Sequence, residues 1–207
     1  MAFSDFKSIA EVQEAYHILY QEADFLEIRD YTPSLILVDE LTFNRQYIDV
    51  LTSEAARCEN IIYPVLREIY KGMVARYALW SHKGLTYDER LNGTPDYLIA
   101  TKSELGKTVL GMPIVVVVEA KQNNFTEGWG QCLAELVAAQ KLNRHEQQPV
   151  YGLVTDAEVW QFGKLQEAIF TKQRTHLTID RLPQVCGALI YCLEENRCQE
   201  RGTQAAG

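Results

Sequence analysis

The chain has 207 residues, 47% of them hydrophobic and 23% charged, with 12 Gly and 6 Pro, the profile of one compact domain rather than a disordered or repetitive chain. Its longest apolar run, residues 114 to 118, falls far short of the roughly 18 residues of a membrane span, and the opening Met-Ala-Phe-Ser-Asp-Phe-Lys lacks the basic and apolar regions of a secretory signal, so a cytoplasmic protein with no membrane partner is expected. The net charge of −8 argues against a polyanionic partner, but residues 1 to 60 carry all of it, with 12 acidic and 4 basic residues, and the rest of the chain balances.

In chain order, Ser8 and Glu11 form a capping-box pattern, and Val12, Tyr16, Leu19, Ala23 and Leu26 continue at helical spacing, which predicts an amphipathic helix over residues 8 to 27 with an acidic outer face. The stretch Asp30-Tyr-Thr-Pro33 breaks it. Residues 34 to 51 fit a strand opening at Leu35 or a helix, and the spacing of Leu35, Val38, Leu41 and Ile48 favours the helix. Thr52 and Ser53 can cap the next helix, whose apolar stripe runs Leu51, Ala55, Cys58, Ile62, Leu66, Ile69 and Met73, with Pro64 expected to kink it. Period-two patterning then predicts strands over residues 76 to 80, 96 to 100 and 114 to 121, separated by polar loops and the Gly93-Thr94-Pro95 turn.

The third of these strands is apolar on both faces, as a central covered strand should be. A helix over residues 125 to 143 is apolar on two sides and so sandwiched. A strand over 150 to 155 follows, then a hairpin turning at Gly163-Lys164, a helix over 182 to 195, and a frayed tail from Arg201 to Gly207. Five cysteines, Cys58, Cys132, Cys186, Cys192 and Cys198, show no metal-ligand spacing and read as reduced, structural thiols.

The polar residues of the central strands carry the chemistry. Glu119 and Lys121, two apart at the end of a valine strand, project to one face. Such a pair is ordinarily a strand-end ion pair, but Asp96 opens the preceding strand directly after Pro95 and would bring a second carboxylate to the same edge. Two hard oxygen ligands from adjacent strands, with the Ala120 carbonyl between them, suit Mg²⁺ or Mn²⁺, and Lys121 would then orient a water or stabilise developing charge.

Pro95-Asp96, Glu119-Ala120-Lys121 and Gln131 in the following helix resemble the PD-(D/E)xK nuclease superfamily. The wording Val118-Glu-Ala-Lys-Gln122, Gly130-Gln-Cys132, Tyr151-Gly-Leu-Val-Thr155 and Trp160-Gln-Phe162 looks like stand-alone relatives of the nuclease domains of type I restriction motor subunits, over roughly residues 53 to 165. The resemblance implies a restriction-endonuclease-like αβββαβ core in one domain. A mixed central sheet would be flanked by helices, with an N-terminal helical extension over residues 1 to 51 and a C-terminal hairpin strand and helix over 166 to 207. It also implies an Mg²⁺-dependent hydrolase acting on phosphodiester bonds, most plausibly of DNA, with a second copy or a partner subunit as a source of further DNA contacts.

In that superfamily a carboxylate of the first core helix joins the site. Glu54, Glu59 and Glu68 compete; Glu59, about 60° from the centre of the apolar stripe, is the choice, both as a catalytic and as a metal-ligating residue beside Asp96, Glu119 and Ala120. A Gln at the start of the second core helix often touches the site, which makes Gln131 a candidate, although a backbone-capping role fits it equally. Trp129 and Trp160 read as core aromatics, and His82 is a loop histidine that could face substrate. His17, His145 and His176 have no metal or catalytic partner at useful spacing. The competing class is a module that keeps the fold without turnover; retention of Asp96, Glu119 and Lys121 together favours the enzyme. Lys71, Arg76, Lys83, Arg90, Lys102 and Lys107 are expected to form a basic rim around the pocket, with the acidic first helix lying away from it.

Overall fold

The computed structural model describes residues 2–29 and 31–204, with side chains through residue 195. In chain order its elements are α1 (Ile9–Tyr16), β1 (Leu19–Ala23), α2 (Leu35–Tyr47), α3 (Glu54–Arg57), α4 (Tyr63–Met73), β2 (Tyr77–Ser81), β3 (Leu85–Thr86), β4 (Asn92–Gly93), β5 (Tyr97–Thr101), β6 (Ile114–Ala120), α5 (Phe125–Asn143), β7 (Val150–Thr155), β8 (Val159–Gln166), β9 (Ile169–Gln173), β10 (Leu177–Thr178) and α6 (Leu182–Gln204). A mixed sheet runs in the order β1-β9-β8-β7-β6-β5-β2, with β10 added on β8. β6 and β7 are parallel, as are β1 and β9, and the other pairs are antiparallel.

Helices cover both faces. Residues of α2, α4 and α6 pack with Val115, Val116 and Val118 on one face, while α1 and α5 pack with Val117, Val154 and Phe170 on the other. All seven residues of β6 are buried, which is why its sequence shows no alternation. β6 and β7 are joined through α5, the crossover helix that a parallel pair requires. No helix of the described residues is long and apolar enough to cross a membrane.

The first predicted helix is half right. Helix α1 stops at Tyr16, where His17 adopts a left-handed conformation (φ 55°) and the Gln13 carbonyl and side-chain amide bond the backbone of Ile18. Leu19 to Ala23 then extend as β1 along β9, so their helical spacing was coincidental and a pairing some 150 residues distant in sequence decides their state. Asp30, placed in the break after that helix, lies outside the described residues; residues 35 to 47 are helical, as the spacing favoured.

The kink expected at Pro64 takes the form of a π-helical turn, Cys58–Ile62, between α3 and α4. Proline offers no N–H to the carbonyl four residues back. The Asn44 side chain donates to that Asn60 carbonyl instead, at 2.9 Å, tying α2 to the turn. The polar loop before Asp96 contains the small β3–β4 hairpin, which no period-two pattern announced. With it set aside, the order helix, three strands, helix, strand holds from Glu54 to Thr155.

The hairpin turn lies at Glu167 (φ 53°) and Ala168 rather than at Gly163-Lys164. Gly163 is inside β8 because a Cβ there would meet Phe170 at 2.7 Å and Trp129 at 2.9 Å. Helix α6 continues to Gln204, beyond the expected end at 195, so the frayed tail is corrected for residues 201–204, and residues 205–207 lie outside the described residues. Cys58, Cys132, Cys186 and Cys192 are buried free thiols, while the Cys198 side chain lies outside the described residues.

Candidate active site

Residues from β5, β6 and α5 meet where β6 ends. Asp96, at the start of β5, accepts a hydrogen bond from the Ala120 backbone N–H at 2.7 Å, which locks its carboxylate onto the neighbouring strand. Lys121 Nζ lies 2.7 Å from Glu119 Oε1 and donates to Gln131 Oε1 at 3.2 Å. The Gln131 amide in turn reaches Glu135 Oε1 at 3.5 Å, one helical turn on. Asp96, Glu119, Ala120, Lys121 and Gln131 therefore come together, and Glu135 extends the chain inward.

Helix α5 can approach this closely because Gly128 and Gly130 stand in its first two turns. A Cβ on Gly128 would lie 2.8 Å from Lys121 Cγ and 2.8 Å from Val154 Cγ1, and one on Gly130 would lie 2.5 Å from the Ser8 backbone nitrogen. Gly128→Ala should consequently displace Lys121 and overpack the helix against β7. We expect a loss of about 1–3 kcal/mol in stability, read by urea denaturation.

Acid groups outnumber bases here. Glu119 and Glu135 are almost fully buried, and Glu119 Oε2 and Glu135 Oε2 have no hydrogen-bond partner among the described residues. Burial first, and the Asp96 charge second, push the Glu119 carboxyl far above the usual carboxylate range, Lys121 offsetting only part of this. Burial, then Glu119 and Asp96, hold Glu135 well above its ordinary value. Asp96 is raised too, by burial, although the Ala120 N–H, Lys121 and His82 oppose it. Burial pulls the Lys121 amine down, but Glu119, Glu54 and Asp96 together outweigh that and leave it above its ordinary value.

Three carboxyls thus share one lysine, and two buried carboxyl oxygens lack donors. A hard divalent cation satisfies both conditions, because it draws carboxylate oxygens and favours their charged form. Among the described residues, no three His, Cys, Asp or Glu side chains already surround a common point.

Asp96 opens onto a cleft of about 660 Å³ lined by Glu54, Cys58, Glu59, Tyr63, His82 and Tyr97. Both exposed acids of the first core helix, Glu54 and Glu59, face it, and Glu54 is the one whose charge acts on Glu119 and Lys121. Glu68 is buried elsewhere, accepting from the Ser34 backbone N–H at 2.8 Å and facing Lys71 at 3.8 Å. His82 does reach the cleft: its Nδ1 is 3.6 Å from Asp96 Oδ1, too far for a hydrogen bond, and its backbone N–H donates to the Asp96 carbonyl at 2.8 Å.

None of the six basic residues lines this cleft. Arg76 and Lys102 line a separate cavity at the opposite end of β5, and Arg90 lies over the Tyr16 ring. Their proximity in sequence did not survive the reversal of direction between strands. Trp129 and Trp160 are fully buried, as expected of core aromatics. Glu135 was missed by sequence reasoning, although its position four residues after Gln131 on one helix face was a readable signal.

Compared with known proteins, the chain matches no protein-family model and no curated protein.

Proposed function

We propose that the chain is a metal-dependent nuclease of the PD-(D/E)xK type, with a restriction-endonuclease-like core, that hydrolyses phosphodiester bonds of nucleic acid, most plausibly DNA. The observation that carries this reading is the convergence of Asp96, Glu119 and Lys121 on one strand end beside buried, unpartnered carboxyl oxygens. Clustering such charges opposes folding, and a bound cation would offset that cost.

In this reading Asp96, Glu119 and the Ala120 carbonyl would hold Mg²⁺ or Mn²⁺, with Glu59 or Glu54 completing the acidic wall of the cleft. The cation would polarise the phosphate and acidify a water. Lys121 holds or orients the attacking water and balances the negative charge that develops on the phosphate oxygens. Gln131 fixes the Lys121 amine through its Oε1, and the Ala120 N–H fixes Asp96. Of these residues Asp96 lines the cleft, beside His82, Glu54 and Glu59. One feature favours the competing reading of an idle nuclease-fold module: Glu119 is already paired with Lys121.

Millimolar Mg²⁺ or Mn²⁺ added to the pure protein should convert supercoiled plasmid to nicked or linear forms, and Asp96→Ala should abolish this. No cleavage of DNA or RNA with either metal would leave the idle module. Within the active protein, Glu54→Gln should reduce cleavage more than Glu59→Gln, because only Glu54 acts on both Glu119 and Lys121. Single-turnover rates of the two variants measure the difference.

A further inference from the structure

A second cavity, about 380 Å³, lies on the other flank of the α5 N-terminus, between α1, β8 and β9. Ile9, Phe125 and Trp129 give it apolar walls, and Gln161 and Lys172 supply polar groups. Gln161 is only 7% exposed. Trp129 Nε1, which can only donate, bonds Gln161 Oε1 at 2.8 Å. That bond fixes the orientation of the amide, and its Nε2 is left with two hydrogens and no acceptor among the described residues.

Lys172 is half-buried, with its amine 5.6 Å from the centre of the Trp129 ring. Burial lowers its pKa, opposed by its cross-strand neighbour Glu22, whose carboxylate already accepts the Tyr20 hydroxyl. One Gln13 amide hydrogen is engaged by the Ile18 carbonyl. The pocket therefore presents an ammonium and an amide N–H₂ against apolar walls. That combination suits an oxyanion carried on a flat apolar body.

Its place in the sheet relates it to the first site. Glu119 is opposite Val154, and Val154 is opposite Gln161. The two side chains stand in one row on the α5 face, two strands apart, or about 10 Å. The first turns of α5 cover Val154 between them, with Gly128 against it, so a strand joining the two sites passes over the α5 N-terminus rather than along this row.

We propose that this pocket is a phosphate-binding subsite for a nucleotide of the strand whose scissile phosphodiester lies at Asp96, Glu119 and Lys121. The assignment rests on the nuclease reading. Gln161 Nε2 and Lys172 Nζ hold the phosphate, and the base rests on the apolar wall.

The Trp129 indole N–H resonance, assigned with Trp129→Phe, reports on the pocket in metal-free protein. Thymidine 5′-monophosphate should shift it saturably and bind at least tenfold tighter than thymidine. Lys172→Met keeps the side-chain stem on the ring and removes the charge. Gln161→Glu keeps the acceptor for Trp129 and puts an anion in place of the donor. Each should weaken the nucleotide at least tenfold, and amide spectra establish that each variant is folded; either variant alone suffices for the test.

A resonance unmoved by nucleotide, or equal affinity in wild type and both variants, overturns the subsite. Inorganic phosphate binding as tightly as the nucleotide makes this a free-phosphate site and overturns the nucleotide assignment. The nuclease reading is judged separately: nucleotide bound here by a protein that cuts nothing keeps the pocket and removes the nuclease, and cleavage with no resonance shift does the reverse.

Discussion

Lys121→Ala should retain divalent-metal binding while cleavage falls by on the order of 10² or more, whereas Asp96→Ala should lose both. The difference follows from what each side chain does in the cluster. Asp96 supplies oxygen ligands and is anchored to β6 through the Ala120 N–H. Lys121 supplies none, and its ammonium 2.7 Å from Glu119 competes with a metal for that carboxylate. Removing it frees Glu119 but also removes the charge that held its pKa down. Metal affinity is therefore compared over a series of rising pH, along which the gain should grow as protons leave Glu119. Calorimetric titration beside a plasmid-nicking assay gives both quantities. Equal cleavage by wild type and Lys121→Ala would reduce the Glu119–Lys121 pair to a strand-end salt bridge.

The elements that frame this cluster were legible because each satisfies its own local rule. Helix α5 matches residues 125 to 143, with Asn124 capping one end and Arg144 in a left-handed conformation closing the other. Strand β7 matches residues 150 to 155. The juxtaposition of Asp96 with Ala120 could be anticipated from the Pro95 turn and the period of two. What could not be read depends on partners remote in sequence. β1 is a strand only because β9 offers it an edge, and the hairpin turn avoids Gly163 only because Phe170 and Trp129 need that space. Arg76 and Lys102 lie at the far end of β5 for the same reason, since closeness along the chain says little about which end of a strand a residue occupies. Glu135 was hidden by the expectation that a residue deep in a sandwiched helix is apolar.

That buried glutamate should make the metal-free protein measurably less stable as pH rises, and Glu135→Met should abolish much of the effect. Glu135 is fully buried, with one carboxyl oxygen unpartnered and its pKa held well above the ordinary value by burial, Glu119 and Asp96. A carboxyl whose folded-state pKa is raised binds its proton more tightly folded than unfolded. Its stabilising contribution is complete below the unfolded value, near 4.5, and is lost as pH rises through the folded value. Over that window each bound proton is worth about 1.4 kcal/mol per pH unit. Methionine fills a similar volume without a charge, so Glu135→Met should match wild type near pH 4.5 and exceed it progressively from there to pH 9. At about 2–4 °C per kcal/mol for a chain of this size, the difference in melting temperature at pH 8 is easily resolved. Asp96 and Glu119 are raised as well and titrate with Glu135 as a group, so the wild-type decline should be reduced rather than removed. Parallel melting curves for the two proteins between pH 4.5 and 9 in EDTA would mean that Glu135 does not bear this load. A gap that opens with pH and closes when Mg²⁺ is added to wild type would tie the buried charge to the site it serves, because a cation bound only by the folded protein restores the stability that the clustered carboxylates remove.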